Sequence, residues 1–154
     1  MKLPPDWREF IELLNSNDVE YVVVGGHAVG YHGYPRYTGD IDFFVRANPE
    51  NAALLAKVLT EFGFEGELDL ESALTEPGKI IQLGRPPNRI DLLTSISGVD
   101  FDEAARGCVT VSMDGIPVKL IGRQALLKNK RSTGRTRDRA DAEEIEKTSG
   151  GDAN

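Results

Sequence analysis

The sequence predicts a mixed α/β fold of the α+β kind, one sheet with helices packed against it, and three observations carry that expectation. Some segments repeat apolar residues with helical spacing, while others alternate them or run them together as strands do. Two strand segments are separated only by Asp114-Gly115, a hairpin signal that argues against a purely parallel sheet. No internal repeat, low-complexity tract or linker divides the 154 residues, so residues 1–147 are expected to form one domain and 148–154 a frayed tail.

Taken in order, Trp7, Phe10, Ile11 and Leu14 fall at i, i+3, i+4 and i+7, which predicts an amphipathic helix from Asp6 to about Asn17. Val19 to Val24 is rich in β-branched residues and predicts a buried strand. Gly25-Gly26 then turns the chain into a short helix ending near His32, and Gly33, Pro35 and Gly39 mark a loop. Ile41, Phe43 and Val45 alternate with Asp40, Asp42 and Phe44. That period of two predicts a strand whose aspartates face away from its apolar side. After Asn48-Pro49, residues Leu54, Leu55, Val58, Leu59 and Phe62 predict a second helix, stopped by Gly63. Lys79–Leu83, Arg89–Leu93, Cys108–Met113 and Ile116–Leu120 are strand candidates, and one or two helices are expected between Arg123 and Lys147.

Composition removes several function classes. No apolar run reaches the roughly 20 residues that span a bilayer, and the start MKLPPDWREF lacks a signal peptide's apolar stretch. A soluble, cytoplasmic protein is therefore expected, without membrane partners. The single cysteine, Cys108, lies in the run CVTVSM and is expected to pack rather than react, and no zinc-site spacing is present. A net charge of −7, from 18 basic and 25 acidic residues, argues against coating nucleic acid through a general positive surface. The segment Lys119–Arg139 is the exception, with Asp138 as its only acid. A solvated helix face and a phosphate- or RNA-contacting surface are both open for it.

The chemistry concentrates between Gly25 and Asp42, GGHAVGYHGYPRYTGDID. A glycine turn after a strand exposes backbone N–H groups to phosphate. Asp40 and Asp42 share one strand face, and burying two like charges together favours a cation; oxygen donors of this kind suit Mg²⁺ or Mn²⁺. Asp91 interrupts an apolar strand and is the best third carboxylate for a metal site. Arg36 and Thr38 precede the acidic strand, where a guanidinium could contact phosphate and a hydroxyl could steady the loop. His27 and His32 are expected to be structural. Neither GxGxxG nor GxxxxGK[ST] occurs, which sets aside the dinucleotide and Walker-type sites.

Together GGHAVGYHGYPRYTGDID, RIDLL and LLKNKRSTGRTRDRAD resemble small members of the polymerase-beta-type nucleotidyltransferase superfamily. The stand-alone bacterial proteins similar to abortive-infection toxins and antibiotic nucleotidyltransferases are the nearest in pattern. The resemblance implies a nucleotidyltransferase fold and transfer of a nucleoside monophosphate from a triphosphate such as ATP, with pyrophosphate released. The acceptor would be a hydroxyl of a small molecule, a protein or a tRNA. It assigns the triphosphate to Gly25 and Gly26, the metal ions to Asp40, Asp42 and Asp91, and acceptor activation to Asp91. Lys128 and Arg135 become candidates for triphosphate or acceptor, and Asp138 for orienting a base or pairing with Lys128. Many members carry Gly-Ser where this chain has Gly25-Gly26, which removes a side-chain hydroxyl from the phosphate turn. Members with well-defined acceptors often add a helical domain, and here little more than two helices follow the last strand, so a homodimer could complete the acceptor side. The alternative is a catalytically weak nucleotide- or partner-binding module, one half of a toxin–antitoxin pair with a cognate partner.

Overall fold

A proline at the start of the first helix needs no N–H donor there, and helix α1 (Pro5–Ser16) begins on one. Trp7, Phe10, Ile11 and Leu14 form its buried stripe, as their spacing predicts. Strand β1 (Tyr21–Val24) is buried throughout and runs directly into helix α2 (Gly25–Tyr31). Strand β2 (Asp40–Val45) returns antiparallel to β1. Helix α3 (Pro49–Phe62) is capped by the Asn48 side chain, which accepts from the Asn51 N–H, and ends at Gly63 with a φ of 103° that favours glycine. The short helix α4 (Leu70–Ala73) precedes strands β3 (Ile80–Leu83) and β4 (Arg89–Leu93). Helix α5 (Phe101–Arg106), strands β5 (Val109–Met113) and β6 (Ile116–Leu120), and helices α6 (Arg123–Ser132) and α7 (Thr136–Lys147) complete the order. This computed structural model describes residues 2–34, 38–64 and 70–148.

The strands form a six-stranded mixed sheet in the order β3-β4-β2-β1-β6-β5. Neighbours β2–β4 and β1–β6 are parallel, while β1–β2, β3–β4 and β5–β6 are antiparallel. Asp114 and Gly115 both take positive φ, 53° and 80°, which is the geometry a two-residue hairpin between β5 and β6 requires. One sheet face packs on α1 and α3: Phe10 meets Phe43 at 5.6 Å and Phe62 at 5.2 Å between ring centroids. Because β2 has a period of two, Asp40 and Asp42 project from the opposite face. Helix α5 sits on that second face through Phe101, 5.2 Å from Phe44.

Helices α4 and α5 are absent from the expectations above, for a physical reason. Neither is long enough for helical periodicity to emerge: α5 buries only Phe101 and Ala104 and is fixed at its start by the Asp100 carboxylate, which accepts from the Glu103 N–H at 2.8 Å. Among the described residues no helix is long and apolar enough to cross a membrane. The expected tail at 148–154 lies outside the described residues except for Thr148, whose hydroxyl donates to the Gly33 carbonyl at 3.2 Å.

Candidate active site

Parallel pairing of β2 with β4 sets Asp42 opposite Asp91 and Asp40 opposite Arg89. Ladder partners share a sheet face, so the register gathers three carboxylates and one guanidinium into a single patch. Arg89 donates through Nη2 to Asp40 at 2.9 Å and through Nε to Asp91 at 2.8 Å. The hydrogen bond that Arg89 donates to Asp91 foremost, with the charges of Asp91, Asp40 and Asp42, holds the guanidinium above its ordinary value against the cost of burial. Asp91 is 7% exposed. Burial first, then a hydrogen bond and charge repulsion from Asp91, push the Asp42 carboxyl up to about 7, with Asp40 adding to the repulsion and Arg89 easing it. Arg89 stands out only after folding, because its two carboxylate partners come from two strands.

A cleft of about 860 Å³ opens in front of this patch. Asp40 and Asp42 form its floor, with Gly25, Gly26 and Thr38 on the β1 side, whereas Asp91 lies behind the described lining residues. Gly25 has a φ of 72°, and a Cβ there would overlap the Asp42 carboxylate. The glycine is thus demanded twice, by its backbone and by the acidic strand beside it. Gly25→Ala is expected to destabilise the fold by at least ~2 kcal/mol, read by urea denaturation. At Gly26 a Cβ would meet Thr38 at 3.1 Å, so a serine at this position would press on the loop. Thr38, which lines the cleft, donates to the Asp40 carbonyl at 3.0 Å. Arg36 lies outside the described residues.

Both histidines sit in packed surroundings. Burial pushes the His27 imidazole down, opposed by a hydrogen bond with the Asp40 backbone, and its ring meets Trp7 edge-on at 5.1 Å. His32 is buried and its Nε2 lies 2.7 Å from the Ile121 carbonyl oxygen.

The far wall of the cleft comes from α6 and α7, and here the placement differs from the sequence expectation. Lys128 points away from the cleft: its ammonium binds both carboxylate oxygens of Glu103 at 3.0 Å, and it lines a separate surface hollow between α5 and α6. The lysine on the cleft is Lys130, two residues on, which helical geometry rotates by some 200° to the other side of α6. Its Nζ is buried between Asp138 at 3.0 Å and Asp141 at 3.4 Å. Asp138 therefore pairs with Lys130 rather than Lys128, and also accepts from Thr133 at 2.8 Å and Arg135 at 2.7 Å. Burial alone would raise the Asp138 carboxyl; the bonds from Thr133, Lys130 and Arg135 outweigh it and hold it below the usual range. Asp141, which looks like helix surface in sequence, is only 2% exposed. Arg135 and Arg137 are exposed and reach the same cleft.

An acidic pair on adjacent parallel strands, a glycine turn beside it and a basic wall across the cleft define a nucleotidyltransferase-type domain. The chain belongs to the family described as nucleotidyl transferase of unknown function (DUF2204), which it matches over residues 5–151. No curated protein matches it. Among solved structures it is similar to the lincosamide antibiotic adenylyltransferase LnuA, solved with lincomycin bound, with a TM-score of 0.59 and 15% identity over 94% of this chain and 96% of that one. The antibiotic-resistance factor ANT(2'')-Ia gives a TM-score of 0.62 at 16% identity, covering 96% of this chain and 84% of that one. An antigenic nucleotidyltransferase-like protein from Paracoccidioides brasiliensis gives 0.54 at 19% identity, covering 91% and 72%. At these identities the likeness is one of fold.

Proposed function

We propose that this protein transfers a nucleoside monophosphate from a nucleoside triphosphate to a hydroxyl of an acceptor, with Mg²⁺ or Mn²⁺ held by Asp40, Asp42 and Asp91. The observation that carries the reading is the register of Asp42 against Asp91, with Asp40 on the same face. The donor set fits a hard cation: it is all oxygen, and the protein already supplies positive charge to it through Arg89. Among the described residues no three acidic, imidazole or thiolate side chains are arranged to hold an ion, and Arg89 bonds to both Asp40 and Asp91. Arg89 would therefore give way when a cation enters. A bound divalent cation would neutralise the phosphates and the developing charge on attacking and leaving oxygens.

The rest is assigned to the chain's own groups. Backbone N–H groups of Gly25 and Gly26 face the triphosphate, with Arg135, Arg137 and Lys130 opposing its charge from the other wall. The acceptor oxygen bonds to the α-phosphorus as the bond from that phosphorus to the bridging oxygen breaks. Pyrophosphate leaves with the electron pair, and the hydroxyl proton passes to Asp91. LnuA and ANT(2'')-Ia are named for adenylyl transfer to antibiotics or resistance to them, which supports ATP as donor and a small molecule as acceptor. Completion of the acceptor side by a second copy is a variant of this reading, tested by light scattering of the protein with and without ATP.

Incubation with each α-labelled NTP, Mg²⁺ or Mn²⁺ and candidate acceptors tests the proposal. Label on an acceptor together with stoichiometric pyrophosphate is the expected result. Metal-independent nucleotide binding with no transfer to any acceptor would instead favour the binding module.

A further inference from the structure

The cleft has a second half that the nucleotide reading leaves unused. From the carboxylates, Gly25 and Gly26 lie toward β1, because Val24 is the ladder partner of Asp42. On the other side, β4 carries Leu93 two residues beyond Asp91, and β3 sets Ile80 opposite Leu93. Both flank the cleft together with Ile96, Ser95, Ser97 and Asn129. Ile80, on the edge strand β3, is 64% exposed. The cleft thus runs diagonally over the sheet, from the glycine turn past Asp40 and Asp42, with Asp91 behind them, to an apolar shelf of Ile80, Leu93 and Ile96.

In-line displacement fixes which half does what. If the triphosphate rests on the glycine turn, pyrophosphate departs toward it, and the attacking oxygen must approach from the opposite direction. That direction is the shelf. Its lining side chains are uncharged, and Ser95, Ser97 and Asn129 offer only neutral hydrogen bonding. The Asn129 amide already donates to the Ser97 carbonyl at 2.9 Å, fixing this rim to α6. A polycationic acceptor would need free carboxylates here; the nearby Asp138 is committed to Lys130, Thr133 and Arg135.

Resting on the nucleotidyl-transfer reading, we propose that the shelf of Ile80, Leu93 and Ile96 is the acceptor subsite and that it takes a neutral hydroxyl compound with an apolar face rather than a polycation. Ile80 and Leu93 are its specificity-determining residues. The apolar face lies on the shelf, and the hydroxyl is directed toward Asp91.

Amide chemical shifts of the full-length ¹⁵N-labelled protein test this, titrated separately with octyl β-glucopyranoside below its micellar concentration, with tobramycin and with Mg·ATP. Octyl glucoside should shift Ile80, Leu93 and Ile96. Ile80→Glu, at an exposed position that spares the core, should weaken that binding at least tenfold while leaving Mg·ATP shifts at Gly25 and Gly26 in place. Failure of octyl glucoside to perturb the shelf, tighter binding of tobramycin there, or indifference to Ile80→Glu would overturn the proposal. The nucleotide arm is separate: absence of Mg·ATP shifts at the glycine turn would sink the transfer reading, whatever the shelf binds.

Discussion

Asp42→Asn is expected to lower nucleotidyl transfer by ~10³-fold or more while making the ion-free protein more stable at pH 8. The activity loss follows from removing one of the three carboxylates assigned to the cation. The stability gain follows from the same crowding. Asp42 is raised to about 7 by burial and by its acidic neighbours, so the folded protein favours its protonated form. Stability from such a group is fully present below the unfolded carboxyl value near 4 and is lost as pH rises through about 7. Asparagine removes that dependence. A shift of this size sets a ceiling of about 4 kcal/mol; because Asp42 opens on the cleft, about half is expected, or roughly 4 to 8 °C in Tm. Thermal melts in EDTA at pH 4 and pH 8 check this. The gap between the two proteins should nearly close at pH 4 and be widest at pH 8 with the variant higher, and a variant less stable at pH 8 would refute crowding as the cause.

Lys130→Ala should be the most damaging change on the basic wall. It leaves Asp138 and Asp141 buried at 4% and 2% exposure without the ammonium that both face, a loss worth roughly 3 to 5 kcal/mol when one partner of a buried pair is removed. Arg135 and Thr133 still hold Asp138, which places the expectation toward the lower end. Mg·ATP affinity, measured by calorimetry where the variant remains folded, should fall about tenfold, in line with loss of one charge-assisted contact. Lys128→Ala removes only a surface pair whose side chains are 54% and 33% exposed, and should change stability by less than ~1 kcal/mol and leave nucleotide affinity unchanged. The reverse ranking would mean that Lys128, not Lys130, serves the cleft.

These two lysines show where sequence reasoning stops. The acidic strand was legible because period-two alternation places Asp40 and Asp42 together, and Asp91 because a carboxylate in an apolar strand needs a reason. Both strands are found with the expected ends, Asp40–Val45 and Arg89–Leu93. The hairpin at Asp114-Gly115 was legible because backbone strain restricts which residues occupy it. By contrast, the choice between Lys128 and Lys130 depends on the rotation of α6 about its axis, which a short helix with mixed polarity leaves open. Arg89 was missed for a similar reason: its partners are Asp40, 49 positions away, and Asp91, and only strand register brings them together. The shelf was hidden because an exposed isoleucine reads as an ordinary β-strand residue until its ladder partner and cleft are known.

In the proposed reaction Asp40, Asp42 and Asp91 would hold a divalent cation for a nucleotide seated on Gly25 and Gly26. Electron paramagnetic resonance of Mn²⁺, titrated with the wild-type protein and with Asp42→Asn in the presence of a non-hydrolysable ATP analogue, tests it most directly. The wild type should remove more of the free-ion signal than the analogue alone does, and the variant should do so at least tenfold less effectively. Equal uptake by the two proteins would contradict it.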